Sequence, residues 1–147
     1  MTRINLIDPK MLTDKHLLAE YRELPRIFTA VKKLYASGKT LDDVEIPDKY
    51  VLGKGHCKFF YNKLYWLHVR YSELITELKK RSFKLDSQLH ASIIGMMFDV
   101  TFCSKLLQIK YRPTPEEMYL NMARLAKRSN IEEVLNELNF ERTCMYE

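Results

Sequence analysis

The chain has 147 residues, a length that suits one domain and allows a hydrophobic core without disulfide bonds. Hydrophobic residues make up 46% and charged residues 29%, which excludes wholesale disorder, and the 4 glycines and 5 prolines exclude a collagen-like chain and disfavour an all-β fold with many tight turns. The formal net charge of +5 favours an anionic partner such as nucleic acid.

The cysteines and the apolar segments indicate an intracellular protein. The 3 cysteines are an odd number and lack the spacing of metal ligands, a pattern typical of reduced thiols. Charged residues interrupt the first ten positions, so we expect no signal peptide, and Asp99 and Lys105 break the most apolar stretch, residues 91–109. We therefore expect a soluble, cytoplasmic protein that does not associate with a membrane.

The first predicted element is a long helix with a kink. Apolar residues at helical spacing begin after Thr13, the predicted N-cap, and continue to Ser37, where a serine and a glycine end the pattern. Pro25 lies within this helix. Because proline lacks a backbone N–H and presses against the preceding turn, we expect the helix to be kinked there.

The rest of the chain also has the spacing of helices joined by loops. Residues 40–52 are rich in turn-forming residues and are predicted to be a loop, and helices are predicted at residues 57–81 and 87–109. Thr114 begins a further helix with a capping box, and a last short helix is predicted at residues 131–140, after Asn130. The expected fold is all-α: a compact single domain over residues 1–147, with a long kinked first helix and irregular loops.

Thr2 offers the first chemically distinctive group. A small second residue usually allows removal of the initiator methionine, which would leave Thr2 with a free α-amine. Such an amine has an ordinary pKa of about 7.7–8.0, so a useful fraction of it is neutral and nucleophilic near pH 7. The alternative is an ordinary frayed terminus, and taken alone the residue pattern favours that alternative.

A stripe on the first helix is the second candidate. On an ideal helix each residue advances by about 100°, which brings His16, Arg22, Glu23 and Arg26 to one side and places one carboxylate among several basic groups. A solvent-exposed face of ion pairs is the commoner meaning of such a stripe, and spacing alone favours it. A metal site formed with Glu20 lacks a matching Glu-x-x-His motif on another helix, so we expect no metal.

Two glycines precede the second predicted helix, in the sequence Gly53-Lys54-Gly55-His56. Free backbone N–H groups at such a helix start can bind a phosphate. The third glycine and the preceding strand of a dinucleotide-binding motif are missing, and a tight turn before a helix is the favoured alternative.

Three segments together are more specific than any of these patterns: Thr2-Arg3-Ile4-Asn5-Leu6, then HLLAEYRELPRIF from His16, then LGKGHCKFFYNKL from Leu52. They resemble the pyrimidine-dimer DNA glycosylase/AP lyase family, the phage-type endonuclease V. The likeness runs nearly without gaps from Thr2 to about Phe83. It resumes in the sequence YRPTPEEMYLNMARLAKR, residues 111–128.

The resemblance implies a repair reaction on duplex DNA that contains cyclobutane pyrimidine dimers formed by ultraviolet light. In such enzymes the N-terminal α-amine, here that of Thr2, attacks C1′ of the damaged nucleotide, the glycosidic bond breaks and a Schiff base forms. β-Elimination then nicks the strand on the 3′ side of the abasic sugar. Glu23 would stabilise the cationic sugar and move protons. The resemblance implies no metal or organic cofactor.

The DNA-binding residues are expected among basic side chains of the matching segments. We expect phosphate or backbone contacts from Arg3, His16, Arg22, Arg26, His56, Arg124 and Arg128, with Lys127 as an alternative to the last of these. Since phosphate contacts read little sequence, specificity would come from the ease of kinking and base flipping at a lesion. The expected partner is therefore damaged double-stranded DNA, of a nucleoid or a virus, bound by a monomer.

Two segments depart from the family pattern. Residues 84–110 have no clear counterpart, and residues 129–147 form an acidic amphipathic stretch in place of an aromatic, lysine-rich C-terminus. These departures leave two alternatives open. One is a module that binds distorted DNA without catalysis, and the other is an all-α adaptor that uses the acidic tail to bind a protein.

Overall fold

The computed structural model describes residues 3–104 and 110–127, and within these ranges the backbone forms helices and irregular segments without a strand. The predicted all-α class is confirmed. The α-helices in these ranges are α1 (Asp14–Glu23), α2 (Pro25–Ala36), α3 (His56–Phe59), α4 (Leu64–Lys80), α5 (Ser87–Ser104) and α6 (Pro115–Ala126), with short 3-10 helices at Pro9–Met11 and Leu41–Asp43.

The long first helix has the predicted ends and the predicted kink. Thr13 is the N-cap of α1, where its hydroxyl accepts a hydrogen bond from the His16 backbone N–H at 3.3 Å, and Ser37 is the C-cap of α2. Pro25 is the first residue of α2, and the long helix is bent by 18°. The bend follows directly after Glu23, the last residue of α1, because a proline at this point cannot continue the hydrogen-bonded ladder.

The prediction of one helix at residues 57–81 is wrong. The four-residue helix α3 ends at Phe59, and the chain resumes helical geometry only at α4, after Lys63 with φ −125°. The Lys63 side chain turns back so that Nζ donates to the Phe59 carbonyl oxygen at 2.7 Å and to Oδ1 of Asn62 at 2.8 Å. The break buries the neighbouring rings of Phe59 and Phe60 completely.

The helices nearer the C-terminus follow the sequence pattern as far as the structure describes them. The helix predicted at residues 87–109 is present as α5 to Ser104. Its remainder, Asn130 and the short helix predicted at residues 131–140 lie outside the described residues. The capping box of α6 is confirmed, with the Thr114 hydroxyl accepting from the Glu117 N–H at 3.2 Å. No helix in the described ranges has both the length and the apolar character needed to cross a membrane.

The core surrounds an irregular N-terminal segment, residues 3–7. Helix α1 packs against α4, α2 packs against α5, and four consecutive residues of the segment, 4–7, are buried between the helices and the loops. Chain ends are usually held loosely at the surface, so this burial calls for specific partners. The largest fully buried side chains are Tyr71, Phe28, Phe59, Phe60, Ile4, Leu17, Leu24, Ile27, Leu64, Leu67, Leu74 and Leu78.

Candidate active site

Side chains of α1 and α3, rather than a neighbouring strand, bind the first backbone N–H groups of the N-terminal segment. Ile4 donates to Nε2 of His56 at 2.8 Å, and Asn5 donates to Oε1 of Glu20 at 2.7 Å. Glu20 is buried, and its carboxylate accepts two hydrogen bonds from the Arg70 guanidinium, at 2.7 and 3.1 Å. The charge-assisted pair keeps the Glu20 carboxylate fixed in the interior, where it holds the segment.

Helix α6 binds the next two N–H groups through one side chain. Oδ1 of Asn121 accepts from the N–H of Leu6 at 2.6 Å and from that of Ile7 at 3.3 Å. Nδ2 of Asn121 donates to Oδ1 of Asn5 at 2.8 Å, and the same Asn5 oxygen accepts from the Arg124 guanidinium. The segment is therefore held by side chains of α1 and α3 at residues 3–5 and by Asn121 of α6 at residues 5–7.

His56 is an interior anchor rather than a surface residue. Its ring is 2% exposed, Nδ1 lies 2.8 Å from the carbonyl oxygen of Val51, and Nε2 accepts from Ile4. Both bonds need the neutral ring with its proton on Nδ1, and burial lowers the pKa of His56, which favours that form. The expected DNA contact of His56 is corrected accordingly, since neither ring nitrogen is available to DNA.

The glycines before His56 form a tight turn, which the sequence pattern favoured over a phosphate-binding site. Gly55 has φ +89°, a conformation that a Cβ would strain, and the added Cβ would lie 3.1 Å from Cγ of Pro47. The His56 N–H donates to the Gly53 carbonyl oxygen at 3.1 Å, which closes the turn. Helix α3 is four residues long, too short for a phosphate site, and the turn serves to direct His56 inward.

A cleft of about 460 Å³ opens where the described chain begins. Glu23 and the first described residue meet in it, because the carboxylate oxygen Oε2 accepts a hydrogen bond from the Arg3 backbone N–H at 3.1 Å. The lining residues come from the N-terminal segment, α1 and α6: Arg3, Asn5, Lys15, His16, Ala19, Glu20, Glu23, Arg124 and Leu125. Two carboxylates, those of Glu20 and Glu23, thus lie among several cationic side chains, and that of Glu20 is paired with Arg70.

The cleft brings together some of the predicted site residues and leaves others outside. Arg3, His16, Glu23 and Arg124 line it. Arg22 and Arg26 are exposed on the long helix and do not line this cleft. Thr2 and Arg128 lie outside the described residues.

Cys57 is a half-buried thiol near Glu23. Burial raises the pKa of Cys57, and the negative charge of Glu23 raises it further. Since the thiolate is the reactive form of cysteine, this surrounding disfavours Cys57 as a nucleophile.

Sequence reasoning missed the residues that hold the N-terminal segment. Arg70 and Glu20 are 50 positions apart, and Asn5 and Asn121 are 116 apart, so no local pattern connects them. Glu20 had drawn notice only as a possible metal ligand. In the described ranges no group of three or more His, Cys, Asp or Glu side chains is placed to hold a metal ion.

The first 91 residues match a family model whose description is pyrimidine dimer DNA glycosylase. The chain belongs to this family. The matched residues, 1–91, include the N-terminal segment, α1 to α4, and the start of α5, and therefore Arg3, His16 and Glu23 of the cleft. Helix α6, with Asn121 and Arg124, lies beyond the matched residues.

Proposed function

We propose that this protein is a DNA glycosylase with AP lyase activity on cyclobutane pyrimidine dimers in duplex DNA. In this proposal the α-amine of Thr2 is the nucleophile and Glu23 is the acid–base group. Family membership supports the class of reaction. The single observation that carries the mechanism is the hydrogen bond from the Arg3 backbone N–H to Glu23, at 3.1 Å.

Covalent geometry connects this hydrogen bond to the nucleophile. Position 2 is joined by one peptide bond to Arg3, whose backbone N–H the Glu23 carboxylate accepts, so the proposed nucleophile is one residue along the chain from this contact. A sugar bound between the amine and the carboxylate would touch both. The proposal requires removal of Met1, because an intact Met1 would carry the α-amine one residue away.

The chemistry then needs only the amine and proton transfers. The amine nitrogen bonds to C1′, the glycosidic bond breaks, and the pyrimidine leaves with the bonding electron pair and takes up a proton. Opening of the C1′–O4′ bond gives an iminium ion, whose charge makes the C2′ proton acidic. Removal of that proton expels the 3′ phosphate by β-elimination and nicks the strand. The final imine is hydrolysed to release the enzyme.

Glu23 is suited to the steps in which charge develops. Its carboxylate would stabilise the cationic sugar as the base departs and would then accept or deliver a proton at the iminium stage. The neighbouring bend at Pro25 ends α1 at this residue, and the Arg3 contact orients the carboxylate toward the start of the chain. These positions give Glu23 a role that the buried, Arg70-paired Glu20 could not share.

DNA contacts are assigned to two neighbouring surfaces. Arg3, His16 and Arg124 would contact the damaged strand within the cleft, while Arg22 and Arg26 would bind phosphates beside it. Arg128 remains a proposed contact from sequence alone. All of these groups belong to one chain, so a monomer suffices for the reaction.

Glu23→Gln tests the proposal, because glutamine keeps an oxygen for the Arg3 N–H and loses the carboxylate charge and its proton transfer. We expect nicking of ultraviolet-irradiated plasmid to fall by about 10²–10⁴-fold in single-turnover assays, with damaged-DNA affinity retained in a gel-shift assay. Glu116→Gln is the matched control, since Glu116 is exposed in the first turn of α6 and does not line the cleft. A Glu23→Gln protein that nicks at the wild-type rate would contradict the assigned role.

A further inference from the structure

We propose that Asn121 is a positioning residue for the N-terminal nucleophile. The role rests on the proposed function, since it concerns the placement of the amine that attacks C1′. Asn121 would not touch DNA. It would act through the backbone of Leu6 and Ile7, and so through the only covalent connection between the fold and the start of the chain.

The contacts of Asn121 hold the backbone of the N-terminal segment. Its side chain is fully buried, and Oδ1 receives two consecutive backbone N–H groups, from Leu6 at 2.6 Å and from Ile7 at 3.3 Å. Nδ2 donates to Oδ1 of Asn5 at 2.8 Å. One planar amide therefore fixes three successive residues, which sets the register of the segment along its own axis.

The same amide links the segment to a wall of the cleft. The Asn5 oxygen that receives Nδ2 of Asn121 also receives the guanidinium of Arg124, one turn further along α6. Arg124 and Asn5 both line the cleft with Glu23. Loss of the Asn121 acceptor would thus shift the N-terminal segment relative to a carboxylate held on α1, while Arg124 keeps its own place on α6.

This inference extends the catalytic apparatus beyond the matched part of the chain. The family match ends at residue 91, whereas Asn121 lies in α6. The residues that would react, Thr2 and Glu23, are in the matched part. Helix α6 would then help to fix one of them with respect to the other, and a misplacement of about 1 Å in such a geometry can slow a reaction about 10²-fold.

Asn121→Ala tests the role by removing the acceptor. The assay is single-turnover borohydride trapping of the imine at saturating abasic-site duplex, with the affinity for the same duplex measured separately. We expect trapping to slow by about 10–100-fold while the Kd changes less than about threefold, because the amine is misplaced and the phosphate contacts remain. Asn121→Asp, which keeps an oxygen for Leu6 and Ile7, should recover most of the rate.

Met122→Ala is the control for a purely structural effect. Met122 is the next residue of α6 and packs against the hydrophobic core, so its truncation weakens the same helix without removing an acceptor from the segment. If Asn121→Ala does not fold, Asn121→Leu takes its place, because leucine keeps the volume and lacks the acceptor.

The outcomes separate this inference from the proposed function. The positioning role is supported if Asn121→Ala traps the imine slowly while Asn121→Asp and Met122→Ala trap it at close to the wild-type rate. Two results would overturn that role alone. One is a wild-type trapping rate in Asn121→Ala or, where that protein does not fold, in Asn121→Leu. The other is an equal slowing in Met122→Ala at an equal loss of Tm. If wild-type protein shown to lack Met1 traps no imine, the proposed function fails and the positioning role fails with it.

Discussion

In this molecule, side chains rather than a neighbouring strand accept the backbone hydrogen bonds of the N-terminal segment. The five backbone N–H groups of residues 3–7 donate to side chains of α1, α3 and α6 rather than to other backbone groups. Residues 4–7 are buried, and because an unpaired buried N–H costs about 1–3 kcal/mol, their acceptors are needed to keep the segment in the interior. These acceptors respond differently to pH, because Nε2 of His56 can no longer accept a hydrogen bond once it is protonated.

His56 should therefore make stability depend on pH. Burial lowers its pKa below the ordinary value near 6.5, and the nearby cations Arg124 and Arg3 act in the same direction. Between the two pKa values the unfolded chain binds a proton that the folded protein does not. The free energy of unfolding should thus be highest above about pH 6.5 and fall as the pH drops, by at most about 1.4 kcal/mol per unit for this group.

Urea denaturation at several pH values measures this dependence. His56→Gln is the comparison, because glutamine can offer both an acceptor and a donor without titrating. His68, whose pKa burial also lowers, stays in both proteins, so the difference between the two curves isolates His56. Parallel curves for the two proteins from pH 7.5 to pH 5 would show that His56 is not held neutral by the fold.

At the scale of helices, one buried ion pair joins α1, α4 and the N-terminal segment. Arg70 of α4 donates to both carboxylate oxygens of Glu20 and also to the carbonyl oxygen of Ile7. The side chains of this pair are 2% and 0% exposed. By contrast, the pair between Arg81 and Asp14 joins α4 to the start of α1 at the surface, with the Asp14 side chain 66% exposed.

Breaking the two ion pairs should have unequal effects. Arg70→Met leaves the Glu20 carboxylate buried and uncompensated, and we expect the free energy of unfolding to fall by about 3–5 kcal/mol. Asp14→Asn removes a surface partner and should cost less than about 1 kcal/mol. Chemical denaturation of both variants measures the contrast, and similar losses would mean that the buried pair contributes no more than a surface contact.

Local sequence signals predicted the ends of helices better than their continuity. Thr13, Pro25 and Thr114 each act through neighbours within four residues, and each occupies the predicted position. The break before Lys63 was missed because apolar spacing continues across it without a proline or glycine. At the break the rings of Phe59 and Phe60 are fully buried, a feature of the tertiary fold that spacing does not reveal.

For the site, the sequence pointed to several side chains that line the cleft, but not to the side chains that hold the N-terminal segment in place. Arg3, His16, Glu23 and Arg124 followed from the family motifs, and the cleft contains them. His56 was in the same motifs, yet its role could not be read from them, because it depends on a contact with Ile4 that is 52 positions away. Asn121 gave no signal for the same reason.

At the scale of the whole molecule, the net charge of +5 and the arginines beside the cleft predict salt-dependent binding. Each phosphate contact that is lost should reduce the slope of log K against log salt by about 1. We expect that reduction for Arg22→Ala and for Arg26→Ala, measured by fluorescence anisotropy on damaged duplex. Lys39→Ala, an exposed position beyond the end of α2, should leave the slope unchanged. Equal slopes in all three variants would show that Arg22 and Arg26 of the long helix do not contact DNA phosphates.

The proposed nucleophile is the α-amine of Thr2, and borohydride trapping detects the imine that it would form. Protein shown by mass to lack Met1 is incubated with ultraviolet-irradiated duplex, undamaged duplex and abasic-site duplex, and the adducts are mapped by peptide mass. We expect a covalent adduct on Thr2 with irradiated DNA and with abasic DNA, and none with undamaged DNA. An adduct on a lysine side chain, or no adduct with either damaged substrate, would contradict this expectation.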